Sequence, residues 1–382
     1  MNTRGIRNRF RELFGQEFRV YTAPGRINLI GEHTDYNGGY VFPGAIDKGI
    51  YAAINPNGLD KIRVFSEDYK EMAEFGMREE DAPKEAWARY IFGVVREMQK
   101  RGYEPKCFDA VFEGDVPVGA GMSSSAALEC AFAYGLNDIY KLGIKKMELA
   151  RIGQATEHNY CGVKCGIMDQ FASLFGKKGH LVRLNCATME YEYFPFEPKG
   201  FRLVLLDTKV KHELASSAYN KRRESCENVC AQIAARHPEV KYLSDATMDM
   251  LKEVKSKISE EDYLRAKYVI EEKQRVLTVC DALKAGEYGT VGMCMYETHY
   301  GLSKEYEVSC AELDSLVSMA QAIDVTGARV MGGGFGGCTI NLVWKGVYGD
   351  FIDMVQTLYK KRYGHEPEVY NVKIGDGARK LR

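Results

Sequence analysis

Apolar positions along the chain follow two periods, and the changes of period mark its elements. Ile6, Phe10 and Leu13 recur at helical spacing and predict an amphipathic first helix. Residues 18–30, 40–54, 61–65 and 107–113 have the β-branched and aromatic content of strands, with glycine-rich turns between them. From Trp87 the stretch WARYIFGVVREMQKRG repeats apolar residues at helical spacing and meets a stop at Gly102. The run SSSAALECAFAYGLNDIYKLG predicts a helix from Ser123, with serines as caps and Gly143 just past its end. Another helix is expected over residues 145–160.

The texture changes at EYFPFEPKGF, where Pro195, Pro198 and Gly200 follow a β-like segment and lead into FRLVLLDT, a buried strand. A domain boundary is placed there, giving residues 1–198 and 199–382. In the second part, helices are expected over 216–235, 243–256, 260–285 and 308–323. ARVMGGGFGGCTINLVW reads as strand, glycine turn, strand, and DFIDMVQTLYKKRYG as a closing helix. Helices alternating with mixed strands predict a two-domain α+β architecture with a ligand cleft between the domains.

Composition adds exclusions. The 382 residues carry 52 Lys+Arg against 53 Asp+Glu, and a net charge of −1 provides no global field for nucleic acid or an anionic membrane. Eleven cysteines contain no CxxC pair; Cys161 with Cys165, and Cys226 with Cys230, are four apart, which is a poor zinc pattern. Scattered thiols fit a reducing cytoplasm. The opening MNTRGIRNRFRELFG is charged throughout, unlike a secretory signal, and Glu12 and Glu17 speak against a transit peptide. No apolar run approaches the about 18 residues of a membrane span, so a cytoplasmic protein is expected.

The chemistry lies in glycine-rich stretches. Asp115-Val-Pro-Val-Gly-Ala-Gly-Met-Ser-Ser-Ser-Ala-Ala sits between a predicted strand and a predicted helix. Gly119 and Gly121 let backbone approach a ligand, and the helix start aims unpaired N–H groups and the positive dipole end at it. Such a place binds phosphate without a lysine, and Ser123, Ser124 and Ser125 add donors or one Mg2+ ligand. The plain alternative is a capped helix packed on a sheet. GxxxxGK[ST] is absent, so this is not the usual P-loop. Gly332–Gly337 spells GxGxxG, but a predicted strand follows where a dinucleotide fold needs a helix. A hairpin turn or a cleft wall remains.

Near the start, APGRINLIGEHTDYNGG packs Arg26, Glu32, His33 and Asp35 between glycines. Two carboxylates and an imidazole are the fixed donors and acceptors that several sugar hydroxyls need. A solvated loop is the alternative, and one histidine with two acids is a poor metal set. This stretch resembles the signature of galactokinases, and VPVGAGMSSSAA resembles the phosphate-loop motif of their parent group, the GHMP small-molecule kinases. GVKCGIMDQFASLFG from Gly162, HELASSAYNKRRESCENV, and ARVMGGGFGGCTINLV from Ala328 agree with the family pattern in order. Met122 stands where leucine is usual, a swap that keeps volume.

The resemblance implies an amino-terminal domain like the second domain of ribosomal protein S5, followed by a ferredoxin-like carboxy-terminal domain. It implies ATP-dependent phosphorylation of the C1 hydroxyl of α-D-galactose, the first committed step of the Leloir pathway, with Mg2+. Asp169 then matches the base and Arg26 the transition-state arginine; a carboxylate beside a guanidinium favours the charged form that accepts a proton. Glu32, His33, Asp35, backbone at Gly166, and Tyr219 would hold the sugar. Gly119, Ala120, Gly121, Met122, Ser123, Ser124 and Ser125 would wrap the triphosphate, with Ser66 lining the nucleotide pocket. Ser125 and Glu157 would bind Mg2+. The partners are small molecules, with no nucleic acid or membrane, and a monomer is expected. Rival readings are a kinase for galactosamine, N-acetylgalactosamine or arabinose, and a galactose sensor without catalysis. The sensors are altered in the serine-alanine part of the loop, and Ser123–Ala127 is intact here.

Overall fold

A computed structural model describes residues 3–210 and 215–382. The chain begins with α1 (Arg4–Phe14), β1 (Arg19–Asn28), β2 (Tyr40–Val41), β3 (Pro43–Pro56), β4 (Ile62–Ser66) and β5 (Glu71–Phe75). It continues through α2 (Ala86–Lys100), β6 (Phe108–Gly114), α3 (Ser124–Tyr140), α4 (Lys146–Thr156), α5 (Met168–Phe175), β7 (His180–Asn185) and β8 (Tyr191–Pro195). Then come β9 (Phe201–Asp207), α6 (Ala215–Ala234), α7 (Met248–Val254), α8 (Glu260–Ala285), α9 (Tyr288–Tyr300) and α10 (Ala311–Ala322). The end is β10 (Gly327–Val330), β11 (Cys338–Trp344), α11 (Tyr348–Tyr363), β12 (Glu368–Val372) and β13 (Arg379–Leu381).

The first sheet has the order β13-β1-β3-β6-β4-β5, antiparallel except where β4 runs parallel to β6. α1 covers one face, burying Ile6 and Phe10 against Val20, Ala53 and Val111. Leu13, expected on that stripe, is 39% exposed, and Phe14 packs there instead. α2 to α5 lie on the other face. Along α3, Ala127, Leu128, Ala131, Phe132 and Leu136 are all buried, because it is sandwiched between the sheet and its neighbouring helices.

The second sheet is antiparallel with the order β10-β11-β9-β12. Counted along the chain that is second, third, first, fourth, the ferredoxin-like arrangement. A small sheet, β2-β7-β8, completes the strands. The chain does not divide cleanly near residue 198, because β13 returns to pair with β1, Val20 facing Leu381.

The expected helix over 243–256 is broken. Thr247 takes the Met250 N–H at 3.3 Å as an N-cap and starts α7 after a short 3-10 turn at Leu243–Asp245. α4 ends at Thr156 and a wider π-turn, Glu157–Cys161, follows. α9 lies outside the helices expected from the sequence: its buried face is Val291, Gly292, Cys294, Met295 and Thr298, too small and mixed to show a period.

Candidate active site

β1 changes register between Pro24 and Arg26, and there the chain passes against the loop before α3. The Arg26 N–H donates to the Met122 carbonyl at 3.1 Å. A Cβ on Gly25 would sit 2.6 Å from that carbonyl, so only glycine allows the approach. Arg26, buried, forks its side chain onto Asp169 in the first turn of α5, with Nε to Oδ1 at 2.8 Å and Nη2 to Oδ2 at 3.0 Å. Its Nη1 donates to the Gly121 carbonyl, and Ser123 Oγ donates to Asp169 Oδ2. Burial alone would lower the guanidinium pKa, but Asp169, Glu32 and Asp35 outweigh it and hold Arg26 above its ordinary value.

This pair lines a cavity of about 440 Å3 that also takes in Glu32, His33, Asp35, Gly119, Ser125, Glu157, Gly166, Tyr219 and the Gly332–Gly334 turn. A larger groove of about 730 Å3, between residues 196–203 and 371–374, contains none of these groups. Glu32 Oε1 is held by Arg329 Nη2 at 3.2 Å and by the Gly332 N–H at 3.0 Å. Arg329 is fully buried and also donates to the Leu29 and Asn28 carbonyls at 2.9 and 2.6 Å. Asp35 accepts the Tyr36 N–H at 3.0 Å and the Met168 N–H at 3.4 Å. A Cβ on Gly166 would fall 1.9 Å from the Asp35 carboxyl, so glycine makes the space for that acid. Burial, then the charge of Asp169, pushes the Asp35 pKa up to about 6.

In the loop, Gly119 and Ser125 face the cavity, whereas the Ala120 and Met122 side chains are buried beneath it and leave only backbone. Ser124 is partly exposed outside the lining. Ser123 holds φ 57°, His33 φ 59° and Phe335 φ 59°, left-handed conformations rare for non-glycine residues and clustered around the cavity. Ser66 is buried and lies outside the lining; its Oγ accepts the Tyr69 N–H at 3.3 Å. Nearby, the Tyr69 and Trp87 rings lie almost parallel, 8° apart with centroids at 6.4 Å, and Tyr69 is 52% exposed.

Glu157 opens the π-turn, is 7% exposed and is hydrogen-bonded by Ser125; burial pushes its pKa up to about 7. Hydroxyl and carboxylate oxygens are a hard donor pair that suits Mg2+, which keeps waters and phosphate oxygens in its shell. Among the described residues no group of three His, Cys, Asp or Glu could hold a metal alone. Sequence reasoning missed the role of Arg329, although it stands in the ARVMGGG stretch. It also missed Glu129, fully buried on α3, whose Oε2 accepts Gln170 Nε2 at 3.0 Å beside Asp169. Burial first, and Glu157 next, raise the Glu129 pKa well above its ordinary value.

The family of GHMP kinases N terminal domains matches residues 89–177, and that of GHMP kinases C terminal domains matches residues 280–350. Fold and site therefore define a GHMP kinase. The galactokinase galactose-binding signature matches residues 8–56, and the chain belongs to the galactokinase family. It is 40% identical to the galactokinase of Thermotoga petrophila over 94% of this chain and 99% of that one. It is 39% identical to the galactokinase of Bacillus subtilis over 98% and 97%. The crystal structure of Lactococcus lactis galactokinase complexed with galactose superposes with a TM-score of 0.94, at 34% identity, over 98% of each chain. Methanococcus jannaschii mevalonate kinase, 16% identical with a TM-score of 0.66 over 94% and 99%, shares the fold.

Proposed function

We propose that the chain transfers the γ-phosphoryl group of ATP to the C1 hydroxyl of α-D-galactose, the entry step of the Leloir pathway. The observation that carries this reading is the fork of Arg26 on Asp169, beside the Gly119–Ser125 loop and facing Glu32 and Asp35. Asp169 takes the proton as the sugar O1 attacks the γ-phosphorus, and the bond from that phosphorus to the β-γ bridging oxygen breaks to release ADP. Arg26, always charged and fixed, stabilises charge on the transferring oxygens. Glu32, Asp35, His33, the Gly166 backbone and Tyr219 form the sugar wall, which suits a ligand with many hydroxyls. Backbone from Gly119 to Ser125 and the start of α3 takes the phosphates, and Ser66, Tyr69 and Trp87 take the nucleotide's other end. Ser125 and Glu157 would hold Mg2+, whose charge would offset that of the phosphates. One chain carries every group the reaction needs, so a monomer suffices. Free thiols at all eleven cysteines suit a reducing cytoplasm.

The test is steady-state turnover with ATP and Mg2+ on galactose, galactosamine, N-acetylgalactosamine and arabinose. The expected result is galactose 1-phosphate with the highest kcat/KM on galactose. Equal or better kcat/KM on another sugar would move the substrate, and absence of ADP would make the protein a sensor.

A further inference from the structure

A line of hydrogen bonds leaves the sugar wall at His33 and ends at the Cys226 thiol. His33 Nε2 lies 3.2 Å from the Gly333 carbonyl, which only accepts, so Nε2 carries a hydrogen. The ring is 4% exposed, and burial, reinforced by Arg222, pushes its pKa down to about 3, leaving the imidazole neutral and Nδ1 bare. Tyr36 Oη, at 2.7 Å, then donates to Nδ1. With its proton used, Tyr36 Oη accepts from Tyr306 Oη at 2.8 Å. With that proton used too, Tyr306 Oη accepts the S–H of Cys226 at 3.1 Å. Each donor has one direction open to it.

We propose that Tyr36, Tyr306 and Cys226 are positioning residues for the sugar: their one-way chain locks His33 as the Nε2–H tautomer and holds the Glu32–Asp35 segment against the cavity. Both ring nitrogens of His33 are engaged by protein, so it acts on the sugar through the wall it fixes rather than through a free nitrogen. Its left-handed backbone needs external support, and its carbonyl is held by Asn37 Nδ2 at 2.8 Å. Glu32 precedes it directly, and Tyr36 gives its N–H to Asp35. Cys226 also shares α6 with Tyr219, seven residues and two turns earlier, so one helix carries both the chain's end and a sugar-wall residue. Tyr306 is fully buried, and Arg222 Nε holds its carbonyl at 2.8 Å.

The kinetic part of this inference rests on the sugar-kinase reading, whereas the tautomer does not. The experiment is 15N NMR of the histidine-labelled full chain without sugar at pH 7, followed by kinetics on whichever sugar turns over. The wild type should show His33 as the Nε2–H tautomer with a hydrogen-bonded Nδ1. Tyr36→Phe should keep that tautomer, because the Gly333 carbonyl still requires the Nε2 hydrogen, but should move the Nδ1 resonance to that of a nitrogen without a donor. Tyr306→Phe and Cys226→Ala should raise the sugar KM, by roughly five- to thirtyfold for the loss of one buried hydrogen bond, while the ATP KM stays put. Cys226→Ser, which still donates, should restore it. An Nδ1–H or cationic His33 in the wild type overturns the chain, and an unchanged sugar KM in Tyr306→Phe overturns its positioning role. No turnover on galactose, with the tautomer as expected, defeats only the choice of substrate.

Discussion

Asp169→Asn separates the chemical role of the carboxylate from its structural one. The substitution keeps the shape and one carbonyl acceptor but removes the negative charge, and it turns an NH2 toward a side chain that already donates from Nε and Nη2. Breaking a fully buried ion pair costs about 3–5 kcal/mol. Here the Arg26 side chain is 4% exposed but that of Asp169 is 30% exposed. Water therefore shares the load, and about 1–3 kcal/mol of stability is expected to go. Turnover should fall much further, by about 100-fold or more, because a carboxamide cannot take the hydroxyl proton. The assay pairs thermal unfolding with single-turnover kinetics at saturating ATP, and galactose affinity by calorimetry. Sugar binding should persist while the chemical step collapses, and Asp169→Ala should behave likewise. A variant that keeps kcat within tenfold of wild type would refute the proton-transfer role and leave Asp169 as a partner of Arg26 alone.

Other consequences follow from the same geometry. Glu32→Ala should raise the galactose KM and also destabilise the chain by about 3–5 kcal/mol, because the fully buried Arg329 loses its carboxylate; an unchanged KM removes Glu32 from the sugar wall. Folding raises the Asp35 pKa from 3.8 to about 6, so the native state binds the extra proton and stability should decline as pH climbs through that window. Denaturant midpoints across pH should show that slope, and Asp35→Asn should flatten it. Glu157 is raised from 4.5 to about 7, and Mg2+ binds only its ionised form. The Mg2+ concentration for half-maximal activity should therefore rise as pH falls below about 7, and Glu157→Gln should abolish that dependence. A dependence unchanged in Glu157→Gln would place the metal elsewhere.

The parts of the site legible in the sequence were those carried by contiguous motifs. Arg26, Asp169 and the glycine-serine loop meet because each sits in a short run whose glycines allow close backbone approach. The long helix over 260–285 was legible for local reasons as well: Ser259 caps its start, and Gly286, at φ 76°, ends it. What stayed hidden depends on contacts between distant segments. Arg329 looks like any strand arginine until the fold brings it to Glu32, and Tyr306 gains its role only beside Tyr36 and Cys226. The return of β13 to the first sheet left no local mark in a stretch as short as Arg379–Leu381. The break before α7 turned on a single threonine cap inside an otherwise helical run.

The most direct measurement is a crystal structure of the full chain with galactose and a nonhydrolysable ATP analogue. The sugar O1 should lie within hydrogen-bond reach of the Asp169 carboxylate, about 2.6–3.2 Å, with the γ-phosphate in line behind it and its oxygens toward Arg26 and the Gly119–Ser125 loop. A sugar that turns a different hydroxyl to Asp169, or a triphosphate lodged away from that loop, would contradict it.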